Sequence, residues 1–366
     1  MGFFRTSVHS QISCTDHKLT VKKPQIMLYS KQTKESRDIY ETIKKIYLPA
    51  DCHLLCFLLS LQPHSLQAET SVTYLALGDS ISTGYKPGGS HFTTECFTHQ
   101  IAAVNDLSLV SKAMDGNTAS GILSQLQSKT SDETIRSAGL ITITCGGNDM
   151  LASLYRSVAT DYNKSHPTDK LTVDEVKTIF NSASDSRMLS LLLSAAKLLG
   201  SYSTSKDFQN SLDDYADNLE QITAYIHAKN ANVHILVATQ YNPYQWFSGY
   251  YANLLSEPLD QCIQKLNDTI RSQADKNGYQ VVDVYTAFHN SKTRLCNATD
   301  SPLELDFHPN AQGHKMISDT FQPVVKELSF TRPQTQNHTV LWIATGAAVL
   351  ILILLVLLFL RRRKRW

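Results

Sequence analysis

Residues 73–85 read T-Y-L-A-L-G-D-S-I-S-T-G-Y and combine a strand pattern with a turn that can carry chemistry. Residues 73–77 have the β-branched, aromatic and apolar composition of a buried strand. Gly78 ends that pattern, and Asp79 and Ser80 follow where a helix would begin. A serine at this position presents its hydroxyl at the carboxyl edge of a sheet, beside helix-start amides that can hold an oxyanion. Both residue types also cap ordinary helices, and this stretch taken alone favours a cap.

Four further strand patterns follow along the chain. They lie at residues 107–111, 140–144, 233–239 and 281–284. Segments with helical spacing separate them, such as residues 213–228, where apolar side chains share one face. Strands that alternate with helices indicate a parallel sheet covered on both faces. With right-handed crossovers, the pattern predicts a flavodoxin-like, three-layer α/β/α domain with a sheet of about five strands over residues 71–328.

The crossover between residues 150 and 232 is too long for a single helix. Thr172 and Glu175 have the spacing of a capping box and predict the start of one helix, and the leucine-rich residues 187–199 indicate another. We therefore predict a helical insertion at about residues 151–205, beside the carboxyl edge of the sheet. It either forms a wall or lid for a substrate or only adds to the core.

The composition excludes several classes of function. The chain has 366 residues, and 42% of them are hydrophobic, which is enough for a real core. Its 34 Lys and Arg residues nearly balance its 33 Asp and Glu residues, so the net charge gives no reason to expect a nucleic-acid partner. Paired CxxC motifs, a Walker loop and an HExxH motif are absent from the sequence. We expect the protein to need neither a metal nor an organic cofactor.

The carboxyl-terminal residues predict a membrane anchor. Residues 329–339 form a polar linker, and residues 340–360 then run for 21 positions without a charge. At 1.5 Å rise per residue, a helix of this length crosses a hydrocarbon core of about 30 Å. The basic residues 361–365 follow directly and mark the tail, residues 361–366, as cytoplasmic. The globular domain is then expected on the other side of the membrane.

The amino-terminal residues fit export of that domain. Residues 1–46 are polar and are either a disordered leader or the product of a start codon assigned too far upstream. Residues 47–69 have the order of a signal peptide, with positive charge before them, a short apolar run at 54–61 and small residues at the end. The run is too short to span a bilayer. A buried helix of the domain is the alternative, but the predicted anchor requires export and favours the signal.

Four polar clusters follow predicted strands or lie near the end of the domain. They are Gly78-Asp79-Ser80, Gly116-Asn117, Gly146-Gly147-Asn148-Asp149 and Asp306-Phe307-His308-Pro309-Asn310. Loops that follow parallel strands meet at one edge of the sheet. We therefore expect these clusters to be neighbours in space, although they are far apart in sequence.

The residue types in these clusters suit nucleophilic catalysis. Ser80 supplies a hydroxyl, and His308 is a base that can take its proton near neutral pH. The backbone N–H groups of Ser80 and Gly116 and the side-chain amide of Asn148 can hold an oxyanion. Asp306 is the nearest carboxylate that can orient the imidazole. Asp79 can brace the turn without acting in catalysis.

The four clusters resemble the sequence blocks of the GDSL family of esterases and lipases, also called SGNH hydrolases. The resemblance covers residues 73 to about 328. Four blocks in the right order are far more specific than G-D-S alone. The resemblance implies the family's nucleophile, oxyanion and base roles for Ser80, Gly116, Asn148 and His308.

One position departs from the family pattern. The family's last block is D-x-x-H, but the residue three before His308 is Leu305. Asp306 is one residue closer to the histidine, and Glu304 is one residue further away. Either Asp306 still reaches the imidazole, or Glu304 or a backbone carbonyl orients it, or the site is a Ser-His dyad with reduced activity.

The resulting hypothesis is a membrane-anchored, extracytoplasmic serine ester hydrolase that cleaves a small-molecule, lipid or acylated-glycan ester through an acyl-enzyme on Ser80. A deacetylase of cell-envelope glycans with the same site is one alternative. A surface-binding module with a weak site is another, and the leucine at position 305 is the only feature that favours it. The aromatic residues 241–247 either line the substrate pocket or form a separate cluster on a loop, and we slightly favour the cluster.

Overall fold

Parallel strands form the central sheet, as the sequence predicts. The computed structural model describes residues 71–182, 185–250, 252–299 and 306–330. Its strands are β1 (Val72–Gly78), β2 (Tyr85–Lys86), β3 (Ser90–His91), β4 (Leu107–Ser111), β5 (Ala138–Thr144), β6 (His234–Ala238) and β7 (Gln280–Val282). Five of them form one parallel sheet in the order β4-β1-β5-β6-β7, and β2 and β3 form a separate antiparallel pair. This is the strand order of flavodoxin-like folds, and it confirms the predicted α/β class with five parallel strands.

Helices cover both faces of the sheet. They are α1 (Ser80–Thr83), α2 (Phe97–Asn105), α3 (Ala119–Gln127), α4 (Asp132–Ser137), α5 (Gly147–Ser165), α6 (Val173–Ser182), α7 (Met188–Tyr202), α8 (Lys206–Lys229), α9 (Glu257–Asn277), α10 (Val284–His289) and α11 (Ala311–Glu327). A π-helical turn, Ala252–Ser256, precedes α9. The chain therefore alternates strands and helices as a parallel sheet requires.

The two faces of β1 belong to two separate layers of the core. Tyr74 and Ala76 pack with side chains of α2, α10 and α11 on one face. Leu75 and Leu77 pack with side chains of α3, α4, α8 and α9 on the other. All four are fully buried. Because side chains of a strand alternate between faces, a strand covered on both sides is apolar throughout, which explains the continuous run in the sequence.

The last strand ends earlier than the sequence pattern indicates. The prediction was residues 281–284, whereas β7 is Gln280–Val282. The carboxylate of Asp283 accepts a hydrogen bond from the backbone N–H of Thr286 at 3.2 Å and one from its hydroxyl at 2.8 Å. Asp283 is therefore the N-cap of α10, and this cap turns the chain into a helix at Val284.

The long crossover contains α5, α6 and α7, which build a third core cluster of their own with α9. The capping box is formed as expected, because the backbone N–H of Thr172 donates to Glu175 Oε2 at 2.8 Å and the backbone N–H of Glu175 donates to Thr172 Oγ1 at 3.2 Å. The first of these helices begins at Gly147, before the predicted insertion at 151–205. The helical segment therefore grows directly out of the turn that follows β5.

The predicted leader, signal, linker, transmembrane span and basic tail lie outside the described residues, apart from the first two linker positions. Within the described ranges, every helix is too short or too polar to cross a bilayer.

Candidate active site

A glycine with positive φ connects β1 to the turn that carries Ser80. Gly78 has φ of +137°, a backbone conformation that side-chain-bearing residues rarely adopt. A Cβ at this position would lie 2.5 Å from the backbone oxygen of Thr144 on the neighbouring strand β5. Only glycine therefore lets the two strand ends approach so closely. The backbone N–H of Asp79 donates to the same Thr144 oxygen at 3.1 Å, which fixes the turn against β5.

The Asp79 carboxylate holds the first turn of α1 in place. Its Oδ1 accepts hydrogen bonds from the backbone N–H of Ile81 at 3.0 Å and from the hydroxyl of Thr144 at 2.8 Å. Asp79 is thus the N-cap of a helix whose first residue is Ser80. Burial raises the pKa of Asp79 to about 6. The Asp79 side chain therefore stabilises the turn that carries Ser80, as the sequence suggests.

His308 lies between Ser80 and Asp306. Its Nε2 is 2.9 Å from Ser80 Oγ, and its Nδ1 is 2.6 Å from Asp306 Oδ1. An ionised carboxylate can only accept, so Nδ1–H donates to Asp306 and Nε2 is left to accept the Ser80 hydroxyl proton. The structure therefore brings the three side chains together in the order that a serine hydrolase uses.

The one-residue shift of the acid is accommodated by a tight turn. Asp306 Oδ1 accepts the backbone N–H of His308 at 3.0 Å as well as the Nδ1–H of the same residue. A single oxygen can serve both donors because the carboxylate folds back over its own turn. Of the three possibilities left open by the sequence, the geometry favours Asp306 as the group that orients the imidazole. Glu304 and Leu305 lie outside the described residues.

The loop that carries His308 is fastened on both sides. The backbone oxygen of His308 accepts the N–H of Asn297 at 2.9 Å. Asn310 Oδ1 accepts the N–H of Gly313 at 2.9 Å and so caps α11, and Asn310 Nδ2 donates to the oxygen of Arg294 at 3.0 Å. Asn310 and Gly313 therefore help to fix the loop.

Two side chains of the G-G-N-D cluster tie the neighbouring loop to α5. Asn148 Nδ2 donates to the backbone oxygen of Asn117 at 3.0 Å. Both carboxylate oxygens of Asp149 accept the backbone N–H of Ala119 at 3.1 Å. One amide hydrogen of Asn148 is thereby fixed, and an amide nitrogen carries a second one. Burial raises the pKa of Asp149 to about 6.

Two of the three predicted oxyanion donors lie at the cleft, and the third does not. Ser80 and Asn148 both line a cleft at the carboxyl edge of the sheet. Gly116 has φ of +72° in the turn that follows β4, and its neighbour Asn117 holds the Asn148 amide. Gly116 is not among the described residues that line the cleft. The structure therefore brings Ser80, Asn148, His308 and Asp306 together, and the neighbours of Gly116 connect its loop to them, Asn117 through Asn148 and Asp115 through Thr83.

The cleft beside Ser80 is mostly apolar. It holds about 570 Å³ of empty space, open mouth included, and its walls come from α1, α5, α9, the loop after β6 and the loop that carries His308. The apolar side chains on these walls are Ile81, Met150, Leu151, Pro243, Tyr244, Leu259, Ile263 and Phe307. Such a lining suits a hydrocarbon group better than a sugar ring.

The aromatic residues of the loop after β6 were considered either as lining of the substrate pocket or as a separate cluster, and the structure shows some of each. Tyr241 and Tyr244 line the cleft. Trp246 instead packs near Phe288, with ring centroids 6.5 Å apart, and its Nε1–H donates to the oxygen of Ser291 at 3.4 Å. The two tyrosines therefore take both roles, because Tyr241 also stacks on Phe288, with ring centroids 4.3 Å apart, and Tyr244 also packs against Phe247, with ring centroids 5.2 Å apart.

The sequence analysis assigned no role to the two aromatic rings that pack against the imidazole of His308, those of Tyr85 and Phe307. The ring centroid of Tyr85 is 4.4 Å from that of His308, and the ring centroid of Phe307 is 4.5 Å from it. The hydroxyl of Tyr241 donates to the backbone oxygen of Phe307 at 3.0 Å and fixes that residue in turn. Tyr85 follows G-D-S-I-S-T-G directly, which was the only signal in the sequence.

A rim of polar contacts joins the nucleophile helix to the neighbouring loop. Asp115 accepts hydrogen bonds from the hydroxyl of Thr83 at 2.5 Å and pairs with His91 Nε2 at 2.9 Å. Thr83 is the last residue of α1, His91 belongs to the β2–β3 pair, and Asp115 precedes Gly116. Within the described ranges, His, Cys, Asp and Glu side chains form no group of three that could hold a metal.

Comparisons with known proteins find a matching family model and similar proteins. The GDSL-like lipase/acylhydrolase family model matches residues 76–316, a range that includes all the predicted site residues. Among curated proteins, the uncharacterised protein YpmR of Bacillus subtilis (strain 168) is 20% identical over 268 residues, which cover 72% of this chain and 86% of that protein.

Two solved structures are similar to this chain over their whole lengths. An extracellular lipase from Streptomyces rimosus is 20% identical, with a TM-score of 0.45, and the match covers 71% of this chain and 100% of that chain. A phospholipase A1 from Streptomyces albidoflavus NA297 is 19% identical, with a TM-score of 0.46 and the same coverage of both chains.

Replacing the buried carboxylate below Ser80 tests its structural role. Because its pKa in the folded protein is about 6, against an ordinary value of 3.8, ionised Asp79 destabilises the fold. This destabilisation is absent below pH 3.8, where the carboxyl is protonated in both the folded and the unfolded protein, and it is complete above pH 6. The contribution of Asp79 to the free energy of unfolding therefore falls as the pH rises between these two values. An amide oxygen can still accept both hydrogen bonds. We therefore expect the difference in free energy of unfolding between Asp79→Asn and wild type to shift in favour of the variant by about 2 kcal/mol when the pH is raised from 4.5 to 7.5.

Urea unfolding of both proteins at the two pH values measures this difference, and the wild-type protein is the control. A stability difference that does not change with pH would show that Asp79 carries no buried charge.

Proposed function

This chain belongs to the GDSL-like lipase/acylhydrolase family, and from that premise we propose that it is a serine ester hydrolase that cleaves acyl esters through an acyl-enzyme on Ser80. The observation that carries the proposal is the 2.9 Å contact between Ser80 Oγ and His308 Nε2. A serine hydroxyl is a weak nucleophile until a base removes its proton, and this contact supplies the base.

The first half of the reaction forms the acyl-enzyme. His308 Nε2 takes the hydroxyl proton while Ser80 Oγ attacks the ester carbonyl carbon. The carbonyl oxygen becomes negatively charged and is held by the backbone N–H of Ser80 and the side-chain amide of Asn148, with the backbone N–H of Gly116 as a third donor by family resemblance. The imidazolium then gives its proton to the departing alcohol as the ester C–O bond breaks.

The second half returns the enzyme to its starting state. His308 takes a proton from a water molecule, whose oxygen attacks the acyl carbon bound to Ser80. The same donors hold the oxyanion, and the proton returns to Ser80 Oγ as the carboxylic acid leaves. Asp306, 2.6 Å from Nδ1, stabilises each imidazolium. Loss of one oxyanion donor typically lowers the rate by about 100- to 1,000-fold.

The lining of the cleft favours an acyl chain longer than acetyl. Each methylene removed from water contributes about 0.8 kcal/mol to binding. Leu151, Leu259 and Ile263 offer such a surface directly beside Ser80. A lipase or esterase acting on small-molecule or lipid esters therefore fits better than a glycan deacetylase, whose sugar needs polar partners.

A surface-binding module receives less support than it did from the sequence. Its only argument was the absence of an acid three residues before His308. Asp306 lies at hydrogen-bond distance from Nδ1 and fills that role geometrically.

We also infer the location of the enzyme from its terminal sequences. Residues 47–69 are proposed as an export signal and residues 340–360 as a single membrane span. The tail, residues 361–366, in which positions 361–365 are basic, is proposed to remain in the cytoplasm. The catalytic domain then lies outside the cytoplasm, close to the cell membrane.

Removal of the nucleophile tests the proposed activity. The full-length protein in detergent should hydrolyse p-nitrophenyl acetate and butyrate, and Ser80→Ala should lower kcat by about 10⁴-fold or more because no hydroxyl remains to attack. Ser90→Ala is the matched control, since Ser90 is exposed and lies on β3. Equal rates for wild type and Ser80→Ala would refute the mechanism.

A bulky residue in the cleft tests the acyl site. Leu151 is half-buried and lines the cleft, so Leu151→Trp should fill the space that a long chain needs. We expect kcat/KM for p-nitrophenyl octanoate to fall at least tenfold while the value for the acetate changes less than threefold. Leu193→Trp is the control, because Leu193 is 62% exposed on α7. A loss that is the same for both esters would place the acyl chain elsewhere.

A further inference from the structure

The imidazole of His308 packs against two aromatic rings. The ring centroid of Tyr85 lies 4.4 Å from that of His308, and the two ring planes are inclined at 40°. The ring of Phe307 lies at 4.5 Å, with its plane inclined at 32°. The His308 side chain is only 11% exposed. Aromatic carbon therefore takes the place of water over part of the imidazole.

The two rings differ in what else they contact. Phe307 precedes His308 in the chain and lines the cleft beside Ser80. Tyr85 comes from the other end of the domain and is not among the described residues that line the cleft. A substitution at position 85 therefore changes the surroundings of the imidazole without changing the wall of the acyl site.

Contacts on its other side hold Tyr85 in place. Tyr85 belongs to β2 and pairs with His91 of β3, whose ring meets it edge-on with a centroid distance of 5.8 Å. His91 Nε2 lies 2.9 Å from Asp115 Oδ2, and Asp115 Oδ1 accepts the hydroxyl of Thr83 at 2.5 Å. Thr83 is the last residue of α1, the helix that begins at Ser80. The position of the Tyr85 ring is thus tied to the helix that carries the nucleophile.

An aromatic ring at this place favours the charged form of the imidazole. A positive charge within about 6 Å of a ring centroid is attracted by the negative faces of the ring, and a neutral imidazole gains less from the same contact. In the proposed reaction His308 becomes positively charged each time it takes a proton. An interaction that is stronger in the transition state than in the resting enzyme raises the rate.

From these contacts we propose that Tyr85 is a positioning residue of the hydrolase: its ring holds the imidazole of His308 between Ser80 and Asp306 and stabilises the imidazolium that forms when Ser80 loses its proton. The inference rests on the proposed function and deepens it. Tyr85 acts through His308 and takes no part in binding the acyl chain.

Other charged or titratable groups also face the imidazole. Asp306 lies 2.6 Å from Nδ1, and the buried Asp79 and His314 interact with His308 electrostatically. Burial lowers the pKa of His314 to about 4, so this side chain is neutral from pH 5 upward. His91 lies behind Tyr85. Because variants at position 85 leave all four side chains in the protein, a change between these variants reports the ring.

Removal of the ring gives the first test. The full-length protein in detergent is assayed on p-nitrophenyl butyrate above pH 8, where a histidine in its resting state is ordinarily neutral. We expect Tyr85→Leu to lower kcat by about tenfold and to change KM less than twofold, because the lost interaction belongs to the transition state. Tyr85→Phe keeps the ring and should retain at least a third of the wild-type kcat. An unchanged kcat in Tyr85→Leu would overturn the proposal.

The pH dependence separates this role from simple packing. In acid the resting His308 is already charged, so the ring stabilises the resting enzyme and the transition state equally and its effect cancels. We expect the deficit of Tyr85→Leu in kcat/KM to shrink from about tenfold above pH 8 to less than twofold at pH 5. The acidic limb of its profile then lies about one pH unit lower than that of wild type. A deficit of the same size at every pH would contradict the role of the ring charge.

A fluorinated ring gives a variant of nearly the same shape. Incorporation of pentafluorophenylalanine at position 85 reverses the charge distribution over the ring faces. We expect its kcat above pH 8 to be at least fivefold lower than that of Tyr85→Phe, with an equal melting temperature. Equal kcat values for the two proteins would show that only the shape of the side chain matters and would overturn the proposal.

Two further variants exclude other origins of the effect. Tyr225→Leu removes another partly buried tyrosine, whose hydroxyl donates to Asp132 of α4 at 2.7 Å. It should keep the wild-type kcat, and an equal loss there would attribute the effect to stability. His91→Gln removes the histidine behind Tyr85. The acidic limb should persist in this variant, and its disappearance would show that the profile reports His91 instead of His308.

Failure of the underlying function gives a different readout. A wild-type protein that hydrolyses the ester no faster than Ser80→Ala would remove the proposed hydrolase and this inference with it. An active wild type whose kcat and pH profile are matched by Tyr85→Leu would overturn only the role of Tyr85.

Discussion

The contact between Asp79 and Thr144 fixes the geometry on which the site depends. Thr144 receives the backbone N–H of Asp79 at 3.1 Å and donates its hydroxyl to the Asp79 carboxylate at 2.8 Å. These bonds join the ends of two neighbouring parallel strands and leave no room for a Cβ on Gly78. Ser80 consequently begins a helix at one fixed point of the sheet edge. Because the contact is buried, its polar groups must stay paired, which makes the turn rigid.

The remaining groups reach Ser80 through a chain of contacts between loops. Asn148 and Asp149 hold the loop that follows β4, through Asn117 and Ala119 respectively. His308 arrives from the other end of the domain on a loop that Asn310 fastens to α11. Each loop follows a strand or precedes a helix, so rigid elements set the position of each functional group. A site built in this way needs little rearrangement during a reaction.

Physical rules explain which features the sequence could predict. The mostly apolar runs of β1, β5 and β6 predicted the central parallel strands, because a strand covered on both faces has few polar side chains. The shared edge of a parallel sheet then predicted that Ser80, Asn148 and His308 would meet. The contact of Asp306 with the imidazole was one of several possibilities, because the reach of a side chain across its own turn depends on backbone angles that a spacing does not give. The catalytic roles of Ser80, Asn148, His308 and Asp306 remain predictions.

Other features depended on packing between distant segments and had no local signal. Tyr85 contacts His308 only because a short antiparallel pair folds over the sheet edge. Tyr241 and Tyr244 line the cleft because their loop lies over α9, whereas Trp246 in the same run of residues does not. Gly116 was placed among the oxyanion donors by its residue type and by resemblance, and its loop is connected to the cleft through Asn117.

The reaction of Ser80 with a fluorophosphonate tests most directly whether the three side chains act as a unit. We expect peptide mapping to locate the adduct on Ser80, and we expect Asp306→Asn to slow its formation by about 100-fold or more, because the imidazole would lose the acceptor that fixes its tautomer. An adduct on another residue, or a rate that Asp306→Asn leaves unchanged, would contradict the assignment.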